Sequence, residues 1–76
     1  MNNAIEMIRV TSSNVHSVGY NFDKKSVLVE FHDGSQYEYY NVSEREFLAL
    51  RDANSVGQYL DQHYKKGHCY KYSKIR

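Results

Sequence analysis

The chain of 76 residues has no proline, no tryptophan, one cysteine (Cys69) and four glycines. Each scarcity removes a class of protein. Without proline there is no Pro-rich linker, and there is no internal repeat or low-complexity tract either. The chain therefore reads as one domain, residues 1–76, with a core from 12 to 72 and a polar, flexible start over residues 1–7. One cysteine cannot close an internal disulfide, which fits a reducing compartment. No apolar run approaches the roughly 20 residues of a membrane-spanning helix. The opening MNNAIEMIRV carries Glu6 and lacks the basic start and apolar core of a signal peptide. The expectation is a soluble, cytoplasmic protein. A net charge of +1 argues by itself for no partner. A chain of this length buries only about 60% of its unfolded surface, and without disulfides or a metal its stability has to come from packing.

What is present centres on Val27 to Val42, VLVEFHDGSQYEYYNV. Val27, Val29 and Phe31 alternate, so an extended chain puts them on one face of a sheet with Glu30 and His32 on the other. Asp33-Gly34 signals a hairpin, since glycine takes a positive φ without steric cost and aspartate tolerates such turns. The return strand, Gln36 to Tyr40, places Tyr37 and Tyr39 on one face and Glu38 and Tyr40 on the other. Two strands alone are marginal in water, so the segment that follows is expected to cover the apolar face.

Before the hairpin, Met7 to Val10 is a candidate edge strand and Thr11 to Asn14 a cluster of turn formers. Val15 to Tyr20 reads as a strand with Val18 and Tyr20 in the core, and Asn21 to Lys25 as a loop. Such short links favour sequential antiparallel pairing. After the hairpin, Ser43 and Glu46 match a capping box, and Val42 and Phe47 stand at the positions of a hydrophobic staple. Phe47, Leu48 and Leu50 give that helix its apolar face. Asn54 or Ser55 caps a second short helix through Val56, Tyr59, Leu60 and His63 or Tyr64, with Gly67 as its stop. His68 to Ser73, with Tyr70 and Tyr72 alternating, is a further strand or an extended tail. The expected fold is α+β, an antiparallel three- to four-stranded meander with one or two short helices packed on one face.

This order of signals resembles the KTSC domain. That small domain is named for its occurrence at the C-terminus of some lysyl-tRNA synthetases, and it also stands alone in short bacterial and phage proteins. The matching residues are Ser12-Ser13, Val15, Val18, Gly19 and Tyr20, then Val27, Val29, Phe31 and Gly34. The central Tyr37-x-Tyr39 with Val42 follows, and then Ala53-x-Ser55-x-Gly57-x-Tyr59. The likeness runs from Ser12 to Tyr72. It departs at Ser43, where the family often has proline; both residues start helices. The resemblance implies an α+β domain of unknown function for which RNA binding has been suggested.

Charge distribution says more than net charge. Residues 1–61 hold five Lys/Arg and nine Asp/Glu, a balance of −4, while residues 62–76 hold five cations and no acid. In that end Lys65, Lys66, Lys71, Lys74 and Arg76 interleave with Tyr64, Tyr70 and Tyr72. Lysines there would neutralise phosphates and tyrosines would stack on unpaired bases. The competing reading keeps Tyr64, Tyr70 and Tyr72 in the core and leaves the lysines to solvation. Tyr37 and Tyr39 could stack bases but are assigned to the core face. Tyr40 is the better exposed stacker, although Glu30 and Glu38 beside it would repel phosphate.

His63, His68 and Cys69 invite a zinc reading, but a structural site usually needs four ligands in paired short spacings. No metal or cofactor is expected. Cys69 with a histidine imitates a thiol nucleophile without an orienting group or oxyanion element. Ser55 and Gly57 lack the first glycine and the strand of a nucleophile elbow. The sequence therefore reads as a non-enzymatic binding domain whose partner is RNA or single-stranded nucleic acid. The alternative is a protein-interaction module, a phage or bacterial accessory factor, docking by a sheet edge or by Tyr40.

Overall fold

The alternation of the hairpin is what sets the register of the sheet. β3 (Ser26–Phe31) pairs with β4 (Gln36–Tyr39) so that Val27 faces Tyr39 and Val29 faces Tyr37. In the computed structural model, which describes residues 5–65 and 70–76, β1 (Ile8–Arg9) and β2 (Val15–Asn21) precede this pair. α1 (Glu44–Arg51), α2 (Val56–Leu60), a π-helical turn (Asp61–Lys65) and β5 (Tyr72–Lys74) follow it. The five strands lie in the order β1-β2-β3-β4-β5 and every neighbouring pair is antiparallel. Both segments read from sequence as candidate strands thus pair, one at each edge of the meander. Gly67, His68 and Cys69 lie outside the described residues.

The hairpin turn is built as its sequence requires. Gly34 sits at φ 93°, Phe31 N–H donates to Ser35 O at 2.9 Å, and Asp33 Oδ1 accepts from the Ser35 N–H at 2.9 Å and its hydroxyl at 2.7 Å. Those bonds to Ser35 hold the Asp33 carboxyl below the usual carboxylate range, with Lys74 assisting. In β2 the pairing slips once, because Val15 faces Phe31 but Ser17 faces Glu30. His16 is the extra residue of this bulge. It lets Val15 and Val18, three positions apart, both point into the core, where each is fully buried.

One face of the sheet carries Val15, Val18, Tyr20, Val27, Val29 and Tyr39 against Phe47 and Leu50 of α1, Val56 and Leu60 of α2, and Tyr64 of the π-helical turn. Both helices start at serine caps: Ser43 accepts from Glu46 N–H at 3.2 Å and Ser55 from Gln58 N–H at 3.3 Å. The reciprocal half of the Ser43 box is not made. Glu46 turns instead to the Tyr59 hydroxyl, and its Oε2 is buried without a hydrogen bond to any described residue. Val56, Leu60 and Tyr64 are the buried stripe of the second helical segment, Tyr59 is half-buried and His63 exposed. Among the described residues no helix is long and apolar enough to cross a membrane.

The opposite face is polar and acidic. Ser26 donates to Glu38 Oε2 at 2.6 Å, Ser17 to Glu30 Oε1 at 3.4 Å, and the Tyr40 hydroxyl to Glu38 Oε1 at 3.3 Å. Residues 5–7, expected to be loose, pack here. A Cβ on Gly19 would stand 2.7 Å from Met7 Sδ and 2.9 Å from the Glu6 carbonyl oxygen. Met7 can swing away but the Glu6 backbone cannot without lifting the segment. Gly19→Ala is accordingly expected to detach residues 5–7 and weaken β1, at a cost of about 1–3 kcal/mol. Hydrogen exchange at Ile8 and Arg9 measures it, and unchanged protection would show that the segment does not depend on the missing side chain.

Candidate nucleic-acid interface

An aromatic row crosses the helix-side face from solvent to core. Phe31 meets Tyr37 edge-on at 5.7 Å, Tyr37 lies 5.9 Å from Tyr72, and Tyr72 5.6 Å from Tyr39. Tyr39 then meets Tyr64 at 5.2 Å and Tyr64 meets Tyr70 at 5.0 Å. Strand pairing places the outer members: Tyr72 faces Tyr39 and Lys74 faces Tyr37. The helices cover the inner end of the row only. Tyr39 and Tyr64 are 2% and 1% exposed, whereas Tyr72 is 61% exposed and Phe31 and Tyr37 are half-buried.

Burial has an electrostatic signature. Loss of water, then the neighbouring Tyr37 and Tyr72, push the Tyr39 hydroxyl up to about 12. Desolvation first, and Glu46 second, push Tyr64 up as well. Tyr59 is raised to about 12 by desolvation and by its hydrogen bond to Glu46. These tyrosines are therefore neutral across the physiological range.

The residues expected at the site divide accordingly. Tyr72, Lys74 and Arg76 are exposed and lie along the edge of the sheet, with Arg76 O accepting from Gln36 N–H at 3.1 Å. Lys71 is exposed just before β5, where its carbonyl accepts from Tyr40 N–H at 2.9 Å. Tyr64 is core and has no surface to offer a base, a correction to its candidacy. Its place in the buried helical stripe, in register with Val56 and Leu60, is the reason. Tyr70 is half-buried and packs against the core. Lys66 and the Lys65 side chain lie outside the described residues. Tyr37, weighed from sequence as a base stacker but assigned with Tyr39 to the core face, is only half-buried, because alternation gives the face of a residue but not how far the helices extend over it. Tyr40 is half-buried with its hydroxyl engaged by Glu38.

Among the described residues no three His, Cys, Asp or Glu side chains gather as metal ligands; of the zinc candidates His63 stacks on Tyr59 at 4.1 Å, and His68 and Cys69 are outside the description.

The profile of the KTSC domain matches residues 11–72. The chain belongs to the KTSC domain family. An uncharacterized protein of Stutzerimonas stutzeri is 32% identical over 71 residues, covering 93% of this chain and 99% of its own length. The crystal structure of a KTSC domain protein from Yersinia pestis superposes with a TM-score of 0.84 at 30% identity, over 96% of this chain and 100% of its own. The KTSC pattern falls on structural positions for the most part: Val15, Val18, Tyr20, Val27, Val29, Tyr39 and Val42 are all core.

Proposed function

We propose that this KTSC domain binds RNA or another single-stranded nucleic acid along β5, with unpaired bases on Tyr72 and Tyr37 and phosphates on Lys71, Lys74 and Arg76. The observation that carries the reading is the pairing of an exposed tyrosine, Tyr72, with a half-exposed one, Tyr37, at 5.9 Å, and a lysine in register beside them. An exposed aromatic face flanked by cations is how sequence-tolerant binders hold single strands. The absence of any acid from residues 62–76 supports it; Asp33, close enough to Lys74 to feel its charge, is the local exception. The opposite face, with Glu30 and Glu38, would repel phosphate.

Titration of labelled protein with a short mixed-sequence RNA at two salt concentrations tests the reading. Affinity should fall steeply with salt. Tyr72→Ala should weaken binding about 5- to 150-fold, the range for loss of one base stack. Changing Lys71, Lys74 and Arg76 together to alanine should reduce the slope of log affinity against log salt by about 2, at roughly 0.7 per single-strand phosphate. Absence of binding at both salts would direct the search to a protein partner at the free edge of β5.

A further inference from the structure

A polar cleft of about 480 Å³ opens where the loop before β2 faces the start of α2. Ser13 and Asn14 stand on one wall, Asn54, Gln58 and Gln62 on the other, and Phe31 in the lining beneath. The walls are far apart in sequence, and two features bring them together. Gly57 has no Cβ, and one placed there would stand 3.2 Å from Ser12 Oγ, so α2 approaches the loop closely. Ser12 is itself fixed, its Oγ accepting from the Asn14 and Val15 N–H groups at 3.2 Å each. His32 ties the loop to the end of β3, its Nε2–H donating to Ser12 O and its N–H to Asn14 O, both at 2.9 Å. The cleft is thus held open by the fold before any ligand arrives.

Its chemistry differs from that of the tyrosine strip. Among the described residues its one charged lining group is Asp61 and no lysine or arginine lines it, so the cleft suits the neutral base and ribose of a nucleotide and not its phosphate. Its exposed amides at Asn14, Asn54, Gln58 and Gln62 each present a donor beside an acceptor. Phe31 joins the two regions, lining the cleft and meeting Tyr37 edge-on at 5.7 Å. A second hollow of about 380 Å³, lined by Ser13, Asn14, Phe31, His32 and Asp33, continues the depression along the hairpin.

We infer that the cleft receives an unpaired base, with its ribose, from the same strand that stacks on Tyr37 and Tyr72, and that Asn14 and Gln58 read its edge. The inference rests on the nucleic-acid reading above. It adds specificity to a strip that by itself would hold any sequence. The expected base is adenine, whose N6 donor and N7 acceptor match the paired acceptor and donor of a side-chain amide.

The test compares oligo-A and oligo-U RNA on the intact protein and on a double variant, Asn14→Ala with Gln58→Ala, both exposed positions outside the core. The intact protein should prefer oligo-A by about fivefold or more. The double variant should lose that preference while keeping the salt slope and the dependence on Tyr72. Equal affinity for the two RNAs, or a preference that survives the double change, would overturn the inference and leave the strip reading standing. A preference for oligo-U that the double variant removes would overturn the assignment to adenine. Binding of neither RNA would overturn both readings.

Discussion

Tyr64→Ala is expected to unfold most of the protein, whereas Tyr64→Phe should leave it as stable or more so. The ring is 1% exposed and lies in contact distance of Tyr39 and Tyr70, with centroids 5.2 and 5.0 Å away. Removing a buried aromatic ring costs about 3–5 kcal/mol. Small domains stand at the low end of a total stability of about 5–15 kcal/mol, so the loss consumes most of what is available. The hydroxyl is a different matter, because it is buried with no hydrogen-bond partner among the described residues. A buried polar group left unpaired costs about 1–3 kcal/mol, and phenylalanine removes it while filling the same space. Urea unfolding of the two variants separates the effects. An alanine variant within about 1 kcal/mol of the parent would mean that the π-helical turn is no part of the core. A phenylalanine variant destabilised by as much would mean that the hydroxyl is engaged after all.

Alkaline pH should unfold the domain over a window set by its tyrosines. Tyr39, Tyr59 and Tyr64 all hold their protons more tightly folded than unfolded, chiefly because burial penalises the phenolate. For a group whose pKa is raised on folding, the stabilisation is complete below the unfolded value near 10 and lost as pH climbs to the folded one. Tyr39 moves from 10.0 to about 12, which corresponds to about 2.7 kcal/mol at 1.36 kcal/mol per unit. Tyr64 adds a loss of the same sign, and Tyr59, only half-buried, a smaller one. Stability should thus be flat up to about pH 9.5 and fall steeply between 10 and 12. Urea midpoints against pH, followed with phenolate absorbance, measure this. Tyr39→Phe should move the alkaline transition upward, and a transition that does not move would remove Tyr39 as its cause.

Much of the fold was legible because its signals are local. Val27, Val29, Phe31, Tyr37 and Tyr39 carry their face in a two-residue period, Gly34 its turn, and Ser43 and Ser55 their caps. The bulge at His16 was not legible, because it is defined by the partner strand and nothing in Val15 to Tyr20 announces the slipped pairing. The cover over Gly19 was hidden likewise, since it is made by residues distant along the chain. Legibility of the site was lower. The cations of the last fifteen residues stood out, but exposure depends on where the helices end over the sheet, and this divides Tyr64 from Tyr72. The cleft left no local mark: Ser12-Ser13 and Ser55-x-Gly57 could be read as separate pieces of a pattern, and only the fold shows that they touch.

The connection between β4 and β5 sets the order in which the sheet is completed. Strands β1 to β4 follow one another through short turns, but Tyr39 and its partner Tyr72 are separated by both helices. Closing a loop of that length costs about 3 kcal/mol of chain entropy, and what stands against it is three residue pairs of β5 with the flanking backbone bonds to Gln36 and Tyr40. The last strand therefore has to wait until Leu50, Leu60 and Tyr64 have brought the chain back. Because Tyr72 and Lys74 ride on that strand, a ligand resting on them would act as a latch, keeping shut the one seam of the sheet that the folding of the hairpins does not close.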